Sequence, residues 1–363
     1  MEEALSHCMA RIREAAAAGT PLRIRGGGSK DFYGQPGAGE LLDTRGLAGI
    51  RSYEPSELVV TVGAGTALAQ LEAVLAEQGQ CLAFEPPHFG GGATVGGMVA
   101  AGLSGPARAS TGAVRDFILG LAIVNGRGEL LSFGGQVMKN VAGYDVSRLM
   151  AGALGTLGLI VEVSLKVLPR APAEATLKFE LPQAEALHRL NAWGGQPLPL
   201  NASCWVDDGG VPTLYLRLRG AHAAVEAACR ALGGERQDNA VVANDWLLCR
   251  DQRLPWFEDR AGRDLWRLSL PQAAPVLDLP EAPLVEWHGG QRWVAADPAE
   301  GERLRRVVEA AGGHASLFRA DAASAGAPRF QPLLPPLDRV HRELKQAFDP
   351  AGILNPGRLY PDL

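Results

Sequence analysis

The sequence predicts an α+β protein made of two unlike halves, and three observations carry that expectation. Its 363 residues, 47% of them hydrophobic, can bury a sizeable core and form two domains. The 45 glycines are unevenly spread, crowding into short clusters between apolar runs over residues 26–158. Beyond Pro169 the texture changes to strand-then-helix and hairpin-then-helix segments, the pattern of an antiparallel sheet with helices packed on it.

Residues 1–19, "MEEALSHCMARIREAAAAG", form an amphipathic helix, acidic first and basic later. Residues 21–25 predict a strand and "LVVTV" at 58–62 a second. The segment 66–78 predicts a helix, with Thr66 as N-cap, Gly79 just past its end, and Leu68, Leu71 and Leu75 on one face. "FILGLAIVNGRGELLSFG" is two strands meeting at Asn125 and Gly126, a pair suited to a tight hairpin. "YDVSRLMAGALG" predicts a helix, and "GLIVEVSLKVLP" a strand stopped by Pro169. In the second half "APAEATLKFELPQAEALHRLNAWGG" and "PTLYLRLRGAHAAVEAACRALGG" each run strand then helix. "PLVEWHGGQRWVAADPAEGERLRRVVEAAGG" runs hairpin then helix, with Asp297, Pro298 and Glu300 at the helix start. Residues 321–336 are an irregular connector, and "LDRVHRELKQAF" is a last helix leading into the tail.

The net charge of −5, without a block of lysines or arginines, argues against a nucleic-acid partner and against an electrostatic membrane anchor. No run of about 18 apolar residues occurs, and the N-terminus lacks the charged-then-apolar order of a secretory signal, so a cytoplasmic protein is expected. The cysteines Cys8, Cys81, Cys204, Cys229 and Cys249 are scattered, and no two of the seven histidines show a metal-binding spacing. Small buried hydrophobes are the reading for the cysteines, and no metal site is expected.

The chemistry lies in the glycines. In "PLRIRGGGSKDF", Gly26, Gly27 and Gly28 follow a short strand, where bare backbone lets several amides converge on an anion. Three glycines in a turn are more often only a turn. A second cluster, "EPPHFGGGATVGGMVAAGLSG", adds Gly90, Gly91 and Gly92, then Thr94 as an N-cap, then Gly96 and Gly97 in a first turn of small residues. Two such loops suit one diphosphate held from both sides. A competing reading sits at "LVVTVGAGTALAQLEAVLAEQGQCLAFE", which has the strand, GxG, helix and terminal acid Glu85 of a dinucleotide fingerprint. Leu68 stands where that fingerprint needs its third glycine, which weakens it.

The ordered segments "RGGGSK", "VTVGAGTALAQLEAVLAEQG", "TVGGMVAAGLSG", "TGAVRDFILGLAIVNGRGELLSFGG", "KNVAGYDVSRLMAGALGTLGLIVEVSLKVLPR" and "DPAGILNPGR" resemble the FAD-binding module of the vanillyl-alcohol oxidase and p-cresol methylhydroxylase superfamily. The likeness is strongest to the FAD-binding subunits of bacterial glycolate oxidases (glycolate dehydrogenases). It implies a two-subdomain FAD-binding PCMH-type domain over 1–171, a smaller α+β cap with an antiparallel sheet over 172–320 facing substrate or a partner, and a returning connector, helix and tail over 321–363.

Residue by residue, the resemblance implies that Gly26, Gly27, Gly28, Ser29 and Lys30 form the first pyrophosphate loop. Pro87, Gly90, Thr94, Gly96 and Gly97 would form the second, with Ser104, Gly105 and Gly112 along the ribityl and flavin side. Gly155 and Ile160 would lie by the adenine or flavin, and Asn355 with Gly357 in the tail returning to the isoalloxazine. Relatives with covalent flavin commonly carry a histidine in the first loop; Ser29 and Lys30 occupy that place here, so non-covalent FAD is expected.

The implied activity is oxidation of glycolate or a similar 2-hydroxy acid to the oxo acid, an FAD-dependent oxidoreductase acting on CH–OH groups. The implied partners are a larger FAD-linked catalytic subunit and an iron–sulfur subunit, through which the chain would sit peripherally at the inner membrane. Related catalytic subunits carry a cap motif resembling HxGDGNxH, whereas this chain offers only "EWHGGQRW". His88 and His288 are therefore weak candidates for a base, each more often structural. Arg292 with Trp293 is either a carboxylate clamp or a hairpin closure, and Lys139 either neighbours the flavin or is a solvated loop lysine. Two readings stay open: a flavoenzyme subunit taking part in substrate oxidation, or a non-catalytic structural or electron-relay subunit. A stand-alone FAD-dependent sugar or alditol oxidase is a third.

Overall fold

The computed structural model describes residues 1–135, 145–258, 260 and 262–363. Packing divides the chain into two units: Met1–Leu103 with Ala113–Pro169 and Pro332–Leu363, and Ser104–Gly112 with Arg170–Gln331.

In the first unit, helix α1 (Glu2–Ala18) buries Cys8, Ile12 and Ala15 at helical spacing and stops at Gly19, whose left-handed φ of 64° a side chain would resist. It packs on Leu22, Leu42, Leu159 and Leu354, where β1 (Leu22–Arg25) runs parallel to β2 (Glu40–Asp43). Strands β3 (Ile50–Glu54) and β4 (Val59–Gly63) pair antiparallel, and α2 (Leu68–Glu77) buries Leu68, Leu71 and Leu75 against them. Then come β5 (Gln80–Cys81), α3 (Val95–Ala101), and α4 (Arg108–Thr111), the last grouped with the second unit. Strands β6 (Ile118–Val124) and β7 (Leu130–Gly134), helix α5 (Val146–Leu149), and strands β8 (Leu159–Lys166) and β9 (Leu168–Pro169) follow. A five-stranded sheet of order β3-β4-β8-β6-β7 results, antiparallel at every joint.

Local details depart from the sequence reading for identifiable reasons. Thr66 does not cap α2, which begins at Leu68; its hydroxyl instead accepts the Gly49 amide at 2.9 Å, a tertiary bond. The β6–β7 connection is longer than a two-residue turn. Asn125 folds inward and its Oδ1 accepts from both Arg127 N and Glu129 N, while Gly126 lies so close to Asp349 that a Cβ would sit 2.3 Å from its Oδ1. The helix expected around "YDVSRL" lasts only four residues, because Leu154 and the glycines Gly152 and Gly155 take left-handed φ values of 50°, 89° and 75°.

The second unit matches the antiparallel expectation. It contains β10 (Ala173–Glu180), α6 (Gln183–Gly194), β11 (Leu200–Asp208), β12 (Val211–Gly220), α7 (His222–Leu232) and β13 (Glu235–Arg236). It continues with α8 (Asn239–Arg250), α9 (Pro255–Glu258), β14 (Asp264–Ser269), β15 (Leu284–Glu286), β16 (Gln291–Ala296), α10 (Gly301–Ala310) and β17 (His314–Arg319). The strands form one sheet of order β13-β10-β12-β11-β15-β16-β14-β17. On β10, Ala175, Leu177 and Phe179 alternate onto the face covered by α6 and α7, while Thr176 reaches the other face and meets Trp246 of α8. On α10, Leu304 and Val308 bury against Trp266 and Leu317.

The chain re-enters the first unit through α11 (Leu337–Phe348). Lys345, 8% exposed, donates to Asp349 Oδ2 at 2.7 Å and to the carbonyls of Thr156 and Leu354 at 2.9 and 2.7 Å. Asp349, 1% exposed, also accepts the amides of Ile353 and Leu354, so one ion pair fastens the tail to the loop before β8. Removing one partner leaves a buried charge without its mate. Asp349→Ala is therefore expected to lower the free energy of unfolding by about 3–5 kcal/mol, read from urea titrations, and an unchanged midpoint would refute the role given to this pair.

Candidate functional site

The two glycine clusters meet. The segment after β1 and the segment before α3 approach so closely that a Cβ on Gly27 would lie 1.4 Å from Gly92 O, and one on Gly26 would lie 2.4 Å from Thr94 Oγ1. Reciprocally, a Cβ on Gly92 would lie 2.8 Å from Gly27 O. Gly28 takes a left-handed φ of 76°. Thr94 caps α3 by accepting the Gly97 amide at 3.2 Å, as its place in the sequence predicts. The amides of Gly27, Gly28, Ser29, Gly90, Gly91 and Gly92 donate to no group among the described residues.

Side chains brace these loops. Arg25 Nε bonds Asp31 at 2.6 Å, Phe89 stacks edge-on with Phe32 at 5.3 Å, and Lys30 Nζ lies 5.6 Å from the Phe89 ring centroid, linking the two loops. Arg358 of the tail donates to the carbonyls of Gln35, Lys30 and Asp31. Pro87 is buried ahead of the second loop. Gly96 serves packing: its amide donates to Ala64 O at 2.7 Å, and a Cβ there would meet the Ala64 side chain.

Gly155 and Asn355 come together. Asn355 Nδ2 donates to Leu154 O at 2.6 Å and Asn355 Oδ1 accepts Ile24 N at 2.7 Å, so the side chain joins the tail, β1 and the 154–155 turn. Nδ2 lies where a Cβ on Gly155 would be 2.7 Å away. The Ile160 side chain is buried in the core cluster, leaving only its main chain for any ligand. Gly357 has a left-handed φ of 73°.

The dinucleotide alternative fails on geometry. Cβ atoms on Gly63 and Gly65 would fall 2.3 and 2.4 Å from the carbonyls of Leu47 and Thr44, so these glycines admit a neighbouring loop. Strand β4 also pairs antiparallel on both sides, which a βαβ unit cannot do.

Segment 104–112 is held within the second unit by a corner that sequence reading left ambiguous. Trp287 and His288 are consecutive left-handed residues, φ 54° and 56°. Trp287 Nε1 donates to Gly105 O at 3.0 Å, and Arg108 stacks 4.4 Å above the Trp287 ring. His288 Nε2 bonds Ser110 Oγ at 3.0 Å; its Nδ1 and its own amide both meet Ser203 Oγ, at 3.1 and 3.0 Å. Ser104 is half-buried beside Gly105, and Gly112 ends the segment with φ 102°.

The weak candidates for catalysis therefore have structural partners. His288 is buried with both ring nitrogens bonded to serines. His88 Nε2 bonds Glu72 at 2.9 Å. Arg292 is fully buried, and its guanidinium donates to Ala274 O and Pro275 O at 2.7 and 2.6 Å, holding the loop between β14 and β15. Lys139 lies outside the described residues. Ser110, Ser203, Arg108 and the Lys345–Asp349 pair escaped sequence reading. Only the i,i+4 spacing of the last pair offered a signal.

The FAD binding domain family matches residues 4–134. Glycolate oxidase subunit GlcE of Escherichia coli (strain K12) is 46% identical over 353 residues, covering 97% of this chain and 96% of that one. Glycolate oxidase subunit GlcD of Bacillus subtilis (strain 168) is 32% identical over 129 residues, 35% of this chain and 27% of its own. Among solved structures, p-cresol methylhydroxylase with substrate bound superposes with a TM-score of 0.72 at 16% identity over 99% of this chain and 87% of that one, a likeness of fold.

Burial pushes the His288 pKa down to about 4. In the unfolded chain the ring takes up its proton near pH 6.5, so the unfolded state binds more protons between these values. The stability that neutral His288 contributes is complete above about pH 6.5 and is lost as pH falls towards 4. The expected slope from this group is up to about 1.4 kcal/mol per pH unit. Urea unfolding from pH 7 to 4.5 should show it, and His288→Gln should flatten it; equal slopes would contradict a buried neutral ring.

Proposed function

This chain belongs to the family of glycolate oxidase subunit GlcE, an FAD-binding oxidoreductase family, and from that premise we propose that it is the FAD-binding subunit of a complex oxidising glycolate to glyoxylate. The observation that carries the reading is the backbone contact of Gly27 with Gly92, around which six amides donate to no group among the described residues. Such a cluster of donors suits a diphosphate, whose oxygens accept several N–H bonds without a lysine. Gly26, Gly27, Gly28, Ser29 and Lys30 would hold one side of the FAD diphosphate, and Gly90, Thr94 and Gly97 the other. Pro87 and Gly96 set the second loop's path. Gly155 and the Ile160 main chain would lie by the adenine or flavin, and Asn355 in the tail that returns to the isoalloxazine. Bound there without a covalent link, FAD would supply the hydride acceptor for a carbon bearing a hydroxyl.

We assign residues 1–171 with 321–363 to the cofactor and 172–320 to a cap facing substrate or partner. The imidazoles of His88 and His288 and the guanidinium of Arg292 are bonded to the protein's own groups. Those bonds favour placing the removal of the substrate proton on a larger FAD-linked partner. An iron–sulfur subunit would carry electrons onward. The second reading, a structural or electron-relay subunit, rests on the same three side chains. Among the described residues no helix is long and apolar enough to cross a membrane; the proposed route to a membrane is through the partner subunits.

Purified alone, the chain is expected to be yellow, to release FAD on acid precipitation, and to be bleached by glycolate faster once the larger subunit is added. Gly27→Val is expected to abolish flavin retention by driving the Gly92 loop away, a main-chain clash that also lowers the urea midpoint. A variant with full flavin content would refute the loop assignment. Rapid bleaching by glycolate of the isolated chain would overturn the partner's role.

A further inference from the structure

The second unit contains a cleft of about 510 Å³, bounded on one side by the β11–β12 hairpin and on the other by α8 and the start of α9. That volume is within the range of small-molecule sites, roughly 300–1,000 Å³. It lies in residues that the flavin reading does not use, so it stands or falls independently.

Its walls are aromatic. Tyr215 and Trp256 are half-buried along it, and Trp246 is buried behind them. Carboxylates alone would be ordinary solvated surface; here Asp207, Asp208 and Asp245 share an apolar-walled cavity whose lining has no lysine, arginine or histidine among the described residues. Asp207 accepts the Gly210 amide at 2.6 Å, and Tyr215 Oη donates to Asp208 Oδ2 at 2.6 Å, which fixes that carboxylate against the ring. Burial, then the Asp208 charge, raises the pKa of the Asp245 carboxyl. An incoming cation would relieve that repulsion. Trp246 already carries a cation on one side: Arg217 stacks 4.7 Å from its ring centroid and donates to Asn201 Oδ1 at 2.7 Å. A hydroxy-acid anion is repelled by the same charges, so this is not a place for glycolate.

We propose that this cleft binds an organic cation, an ammonium or guanidinium group carried on an aliphatic chain. The carboxylates of Asp208 and Asp245 hold the charged head, the rings of Tyr215 and Trp256 offer their negative faces, and Val242 and Leu254 cover the methylenes. Two sources share that chemistry: a free polyamine, or a lysine or arginine side chain of another protein.

The test is calorimetric titration of the purified full-length chain at low ionic strength with spermidine and, separately, with N-acetyl-lysine methylamide, tryptophan fluorescence being followed in parallel. Saturable binding of spermidine, weakened by salt and several-fold by Asp245→Asn, supports a free cation as ligand. Saturable binding of the lysine analogue alone, with the same dependence on Asp245, supports the site and assigns it to a side chain. Asp245 is exposed and makes no hydrogen bond among the described residues, so its replacement leaves the fold intact. Trp256→Ala should weaken either ligand while flavin content is unchanged. Absence of binding by both probes, or binding indifferent to Asp245→Asn, overturns the proposal.

Discussion

Two peptide units pressed together at Gly27 and Gly92 constrain the whole of the first unit. For main chain to touch main chain, the turn after β1 and the turn before α3 must both lack side chains at the crossing. Strand β1 is fixed from behind by α1 and by the tail, and α3 is fixed by Gly96 lying on Ala64. The five-stranded sheet, the packing of α2 and the returning tail act together to hold two loops at a separation that neither loop would choose alone. Loop amides left without internal acceptors are tolerable because these segments are half-exposed and water can satisfy them until a ligand does.

The fold was legible wherever a periodic apolar pattern met a chemical stop. Leu68, Leu71 and Leu75 announce α2, and the alternation in "ATLKFE" gives β10, whereas the strand read up to Pro169 ends at Lys166 and Pro169 itself, in β9, pairs with Gln80. The glycine clusters were legible for a related reason: bare backbone admits a close approach of main chain or ligand. What sequence could not show was destination. Thr66 has the chemistry of a cap but turns to the Gly49 amide, because a tertiary bond competes with a local one and the helix begins two residues later. The asparagine of the β6–β7 connection likewise looks like turn chemistry and proves to be the organiser of a wider loop.

His288 of the second unit illustrates a deeper limit. A histidine, a tryptophan and an arginine in "EWHGGQRW" have the composition of a reactive site. Their burial decides otherwise: Arg292 is enclosed with its carbonyl partners, and His288 lies between two hydroxyls contributed by residues 178 and 85 positions away. Those partners carry no mark in the sequence, since a serine that meets a histidine is indistinguishable from a serine that meets water. The two left-handed residues in succession are equally silent, being neither glycine nor asparagine.

The bond from Ile24 N to the Asn355 side chain joins points 331 residues apart. At about 5–20 residues per second, a ribosome needs roughly 20 seconds to a minute to make that span. Throughout that interval the first strand is present without the tail that bonds it, and the last strand of the second unit's sheet, ending at Arg319, is made shortly before residue 355. Synthesis thus leaves the bond that closes the first unit until nearly the whole chain, the second unit included, has been made.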